Sequence, residues 1–250
     1  MNKKNKKFNT KAIHVGQEPE KLYGAVSLPI YLTSTFKQKE FGEYEYDYSR
    51  AGNPTRTNLE DNIAALEEGK EGIAFSSGMA AISAVIHLLS AGDEIIFTRN
   101  VYGGTYRVME KIYKNFDIKP HWVDTTDVDA IKKAINKNTK MIYIETPTNP
   151  MIEISDIKAI SKICKKSKCI LVADNTFMSP YNQRPLTLGA DIVMHSITKY
   201  LNGHSDVIGG ILVSKKNDLI DKLRFIQMSV GAVPSPFDCW IVQRSLKTLH

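Results

Sequence analysis

Seven short apolar runs lie between residues 72 and 214: "GIAFS", "EIIFT", "IKPHWVD", "KMIYIET", "CILVADNT", "DIVMHS" and "GGILVS". Segments such as "MAAISAVIHLLSAG", "GGTYRVMEKIYKNF", "DVDAIKKAINKN" and "ISDIKAISKICKKSK" separate most of them, with apolar residues at helical spacing. Runs this apolar are buried on both faces, so the alternation predicts an α/β fold, a mostly parallel sheet between helices. Upstream, "TNLEDNIAALEEG" predicts a helix from Thr57, with Asn or Thr as N-cap and Gly69 placed to end it. The stretches "EKLYGAVSLPIYLTSTF" and "FGEYEYDYSRAGNP" carry no sustained period and read as an extended arm. The expected division is therefore an arm over residues 1–55 and a large domain over residues 56–250. At the far end, "VPSPFDCWIVQRSLKTLH" turns helical after Pro236 and stops mid-pattern at His250, so the chain reads as truncated.

Composition narrows the class of protein. A length of 250 residues, 42% of them hydrophobic, can bury a substantial core. No apolar stretch approaches the roughly 20 residues needed to span a bilayer, and "MNKKNKKFNT" leads into no hydrophobic signal region. A cytoplasmic protein with no membrane partner is expected. The net charge of +6 gathers in "MNKKNKK", "IKKAINKNTK" and "ICKKSK", which read as a tail and solvated helix faces and ends. Nucleic acid is thus not an expected partner, while anionic small molecules remain. Cys164, Cys169 and Cys239 form no CxxC pair, so reduced, buried thiols are expected rather than disulfides or a metal site. P-loop, GxGxxG and HExxH patterns are missing, and "GHSDV" lacks the last glycine of a nucleophile elbow.

Ligands of parallel α/β sheets bind outside the carboxyl ends of the strands, so the polar residues that close each apolar run are the candidates for chemistry. "GIAFSSGM" turns at Gly78 and opens a helix at Met79, where free N–H groups suit a phosphate. "CILVADNTF" places Asp174 at the end of an apolar run, where a carboxylate needs a cationic or hydrogen-bonding partner. "DIVMHSITKY" then delivers Lys199 just after Ser196 and Thr198. One cofactor uses this set of parts. Pyridoxal 5'-phosphate needs a lysine for covalent attachment, an acid opposite its pyridine nitrogen and donors for its phosphate. Lys199 is the expected attachment point and Asp174 the partner of the ring nitrogen. Gly78 and Met79 amides with Ser196 and Thr198 hydroxyls are expected at the phosphate, and Tyr102 of "NVYGGTYR" on the ring face.

The chain also resembles the cystathionine γ-lyase and γ-synthase family of pyridoxal-phosphate enzymes, from about "KAIHVGQEPE" to "RSLKTLH". The motifs "YSRAGNPTR", "SSGMAA", "VYGGTYR", "ETPTNP", "VADNTFMSPY" and "HSITKYLNGHSDV" carry that resemblance. It implies the fold type I architecture of aspartate aminotransferase, with a small C-terminal domain lying beyond His250, and a homotetramer built from two tight dimers. It also implies that Tyr48 and Arg50 reach into the neighbouring subunit to bind its cofactor phosphate. Asn149 is expected near the cofactor ring and its hydroxyl, and Arg107, with Arg50 and Tyr102, near the substrate. Methionine γ-lyases of the family carry a cysteine where this chain has Gly104, which lowers that reading. The implied activity is γ-elimination of L-cystathionine to cysteine, 2-oxobutanoate and ammonia. In it Lys199 moves the Cα and Cβ protons and Tyr102 assists near the leaving sulfur. The alternatives are cystathionine γ-synthase, replacing the acyl group of an O-acylhomoserine by cysteine, and a fragment that binds the cofactor without turnover.

Overall fold

A computed structural model describes residues 7–250; the basic run expected to be a tail falls almost wholly outside the described residues. The elements follow the sequence pattern closely. After helix α1 (Phe8–His14) and an irregular stretch come α2 (Pro54–Leu66), β1 (Glu71–Phe75), α3 (Gly78–Ile86) and β2 (Glu94–Thr98). Next are α4 (Gly103–Lys111), β3 (Lys119–Val123), α5 (Val128–Ala134), β4 (Thr139–Glu145), α6 (Ile157–Ser167) and β5 (Ile170–Asp174). Two short helices, α7 (Ser179–Asn182) and α8 (Pro185–Leu188), precede β6 (Ile192–Ser196), β7 (Gly210–Ser214), α9 (Asn217–Val230) and α10 (Pro236–Ser245). Every apolar run named above contributes one strand.

Among the described residues the strands form one sheet in the order β1-β7-β6-β5-β4-β2-β3. β7 runs antiparallel to both of its neighbours, and the other strand pairs are parallel. The carboxyl ends of β1 to β6 therefore share one edge, which β7 enters from its amino end. Side chains alternate across the sheet. Ile73, Phe97, Tyr143, Val172, Met194 and Leu212 pack with α3, α4 and α9 on one face. Their sequence neighbours turn to the other face, where Ile96, Ile142 and Leu171 meet α6, and Val193, Ile211 and Val213 meet α2 and α10.

Three local features depart from the sequence reading. Within the stretch expected to be extended, Phe8–His14 is a helix whose Ala12 is buried in the α2/α10 layer. Asn62 holds it there by donating to the carbonyls of Lys11, Ala12 and Val15. A helix this short has little intrinsic stability, and tertiary packing decides it. Second, α2 opens at Pro54, because the Asn53 side chain accepts from the N–H groups of Thr55 and Arg56 and proline suits the first helical position. Third, the helix ends at Leu66, and Glu68, not Gly69, takes the left-handed conformation. Gly69 is instead demanded by space, since a Cβ there would strike Val213 and come within 3.1 Å of Leu186. The 14-residue α9, singled out by no motif, covers the first face through Leu219 and Leu223 and closes at Gly231.

Candidate active site

The shared strand edge collects most of the expected residues. At its centre, Glu145 and Asp174 end β4 and β5 as direct cross-strand partners, so both side chains emerge on the face covered by α3 and α4. Asp174 is buried; its Oδ2 accepts from the Tyr143 hydroxyl at 3.0 Å and its Oδ1 from the Thr176 N–H at 3.0 Å. Burial raises its carboxyl above the usual range, against the lowering effect of those hydrogen bonds. No lysine or arginine among the described residues pairs with it. It is therefore a buried acid that a cation brought to it would satisfy.

One strand over, β6 delivers Ser196, whose N–H donates to Thr176 Oγ1 at 2.8 Å. That link registers the Lys199 loop against the Asp174 loop. Lys199 sits three residues beyond in a turn, its N–H donating to Ser196 O and its carbonyl accepting from Gly203 N–H. Its side chain is exposed and has no acidic partner among the described residues. The Ser196 side chain packs on Gly78, where a Cβ would lie 3.0 Å from Ser196 Oγ. At this N-terminus of α3 the Ser77 hydroxyl accepts from Ala80 N–H, while the N–H groups of Gly78 and Met79 find no acceptor among the described residues. Two free backbone donors, a serine hydroxyl and the helix dipole thus converge on one spot, an arrangement that suits a phosphate. Thr198 is committed differently: its hydroxyl donates to Gly209 O at 3.3 Å and accepts from Gly209 N–H at 3.1 Å, fastening the loop to β7.

Tyr102 caps the N-terminus of α4, half exposed, with its ring over Gly104 and beside Met79. A Cβ on Gly104 would collide with the Tyr102 ring and stand 2.8 Å from Met79 Sδ. Gly104→Ala is accordingly expected to displace the Tyr102 ring while the fold holds; a crystal structure of the variant beside a thermal melt checks this. Arg107, one turn further along α4, is exposed, as is Asn149 in the loop after β4.

Tyr48 and Arg50 do not join this edge. Arg50 stacks on the Tyr48 ring with its guanidinium carbon 5.4 Å from the centroid, and its Nη1 donates to Met228 O at the end of α9. Arg50 lines a cleft of about 480 Å³ between the arm and the α9–α10 connection, together with Leu32, Ser49, Asn53, Arg56 and Val233 among others. The arm is held there by buried Arg56, which donates to the carbonyls of Ser49, Arg50 and Ala51.

The sequence reading passed over Glu145, Tyr143 and Thr176. The signal for Glu145 was present, an acid closing an apolar run as Asp174 does. Nothing in the sequence showed that the two runs are neighbouring strands.

Residues 9–250 match the family described as Cys/Met metabolism PLP-dependent enzyme. The chain belongs to this family. Cystathionine γ-lyase of Bacillus subtilis is 52% identical over 97% of the chain, and cystathionine β-lyase of Lactococcus lactis is 52% identical over 97%. A probable cystathionine γ-synthase of Herpetosiphon aurantiacus is 48% identical over 97%. The chain spans 64% of the length of each of the first two relatives and 76% of the third. Among solved structures, cystathionine γ-lyase from Lactobacillus plantarum, complexed with L-serine, superposes with a TM-score of 0.96 at 49% identity, covering 98% of this chain and 64% of that one. The structure of metB from Corynebacterium glutamicum gives 0.98 at 45% identity, covering 100% and 66%. The α/β fold with its mostly parallel sheet and the family's dependence on pyridoxal phosphate agree with the sequence reading. All three cysteines are buried. No helix among the described residues is long and apolar enough to cross a membrane.

Proposed function

We propose that the chain forms the cofactor-binding part of a carbon-sulfur lyase that cleaves L-cystathionine by γ-elimination, with uptake of one water, to cysteine, 2-oxobutanoate and ammonia, acting in the cytoplasm. The observation that carries the reading is the convergence, at one sheet edge, of a buried acid with no lysine or arginine partner among the described residues, a lysine on the adjoining loop and a pair of helix N–H donors beside Ser196 with no protein acceptor among the described residues. Pyridoxal phosphate, when bound, supplies a protonated ring that accepts electrons from the substrate's Cα. Asp174 holds the proton on the ring nitrogen. Gly78, Met79 and Ser196 hold the phosphate, with Thr198 keeping its loop in place. Lys199 takes the Cα proton on its Nζ and later moves a Cβ proton, and Tyr102 covers the ring and serves proton transfer near the leaving sulfur. Asn149 would stand near the ring hydroxyl and Arg107 near the substrate.

Borohydride reduction of the holoenzyme followed by peptide mapping tests the attachment: the pyridoxyl group is expected on Lys199, and its recovery on another lysine overturns the assignment. Product analysis tests the reaction. Cysteine and 2-oxobutanoate are expected, whereas pyruvate and homocysteine would point to β-elimination. The γ-synthase reading draws on the similarity to the Herpetosiphon protein. It would replace the lyase if O-acylhomoserine plus cysteine reacted at least tenfold faster by kcat/KM, a difference of about 1.4 kcal/mol. Covalent attachment without any product would leave the non-turnover reading.

The arm supports a proposal about assembly, a homotetramer of two tight dimers in which Tyr48 and Arg50 serve the neighbour's phosphate. Leu22, Tyr23, Val26, Leu32, Phe41 and Tyr44 are all well exposed on it, more apolar surface than a free arm needs. Mixing inactive Arg50→Ala chains with inactive Lys199→Ala chains is expected to restore activity, because one site of each hybrid dimer has both residues. With random pairing the recovery should reach up to about one quarter of wild-type sites, following the twofold symmetry. No recovery in proven hybrids would place Arg50 in its own chain's chemistry.

A further inference from the structure

The two loops that carry Tyr102 and Asn149 come from different strands and share no backbone pairing; Glu153 ties their outer parts through Asn100 and Arg99, and Glu145 holds both at the strand ends. Glu145 Oε2 accepts from the Tyr102 N–H at 2.7 Å, and Glu145 Oε1 accepts from the Asn149 N–H at 3.0 Å. The carboxyl is buried at the end of β4. Its own N–H donates to Thr98 Oγ1 at 3.2 Å; that hydroxyl bonds Thr125 Oγ1 at 2.8 Å, which bonds Ser155 Oγ at 2.7 Å. The ends of β2, β3 and β4 and the approach to α6 are thereby tied into one assembly.

We infer that Glu145 is a positioning residue that sets the Tyr102 and Asn149 loops relative to each other across the cofactor ring. The inference rests on the roles proposed above for Tyr102 and Asn149. Its chemistry is specific to a carboxylate. Both partners are backbone N–H groups that can only donate, so both oxygens must accept. A glutamine of the same shape offers one oxygen and one NH2, and sets a donor against a donor at one of the two loops. The same burial that makes the clamp rigid makes it costly to ionise: desolvation and the neighbouring Asp174 carboxylate push the Glu145 carboxyl up to about 7, against the lowering effect of its two N–H partners. The titratable side chains that face it are Asp174 on β5 and Tyr143 on its own strand, while the two loops meet it with backbone N–H groups. A buried acid kept in spite of that cost fits a residue whose two-sided acceptance is needed.

Glu145→Gln and Glu145→Asp in the holoenzyme test the clamp; aspartate keeps both acceptors but is one methylene too short to reach both loops. For Glu145→Gln the visible circular dichroism of the bound cofactor, which reports the asymmetry of its surroundings, is expected to weaken or change sign while attachment at Lys199 persists. Turnover is expected to fall about tenfold or more, with a smaller change in KM. In a Tyr102→Ala background the further loss from Glu145→Gln should be smaller than in the unaltered enzyme, because one of the two loops through which it acts no longer carries its side chain. Unchanged dichroism, or losses that simply multiply in the double variant, overturns the inference. If Glu145→Gln folds poorly, Glu145→Asp is read by the same criteria. Attachment of the cofactor away from Lys199 in the unaltered enzyme would instead mark failure of the underlying site assignment.

Discussion

Lys199→Ala is expected to lower turnover by four orders of magnitude or more without unfolding the protein. The side chain is exposed and has no ion-pair partner among the described residues, where its backbone bonds Ser196 O and Gly203 N–H. Removing it should change stability by no more than about 0.5 kcal/mol, as for other surface positions. Its proposed work is different in kind. As covalent anchor and proton carrier it acts on the reacting atoms, and general acid–base action alone contributes about 10² to 10⁴ in rate. The measurement is kcat beside a thermal melt and borohydride mapping: no label at position 199, a wild-type melting profile and almost no product. Retention of more than about one percent of turnover would remove Lys199 from the chemistry.

Asp174→Asn should separate function from stability in the opposite sense. The amide fits the same space, its oxygen can still accept from Thr176 N–H, and its NH2 can donate to the Tyr143 oxygen in place of the bond it loses. The charge that stabilises a protonated ring nitrogen is lost, and turnover should drop about 10²- to 10³-fold, the usual effect of removing one fixed electrostatic partner. Stability runs the other way. The Asp174 carboxyl is raised in the folded state, so the fold holds its proton more tightly than the unfolded chain does. That makes ionisation cost stability as pH rises above the ordinary value of 3.8 towards the raised one, and the cost persists at higher pH. Cofactor-free Asp174→Asn is therefore expected to melt no lower than the unaltered protein at pH 8, while its holoenzyme barely turns over. A lower melting temperature together with near-normal kcat would refute the ring-nitrogen role.

The layered sheet was legible because strands buried on both faces must be nearly all apolar, and their lengths and spacing follow from the chain alone. The same holds for Asp174, Ser196 and Lys199, since a polar residue closing an apolar run marks the strand edge where ligands sit. Sequence pattern is one-dimensional, however, and cannot say which runs lie side by side. Glu145 and Asp174, 29 positions apart, became a carboxyl pair only when β4 and β5 aligned in register. The Asn62 anchor that makes a helix of residues 8–14, the collision that requires Gly69, and the commitment of the Thr198 hydroxyl to Gly209 are likewise long-range contacts. Local periodicity determined the elements and the polar residues at their ends; only tertiary packing decided which of those ends meet, because hydrogen-bond partners and steric limits are set across the sheet and not along the chain.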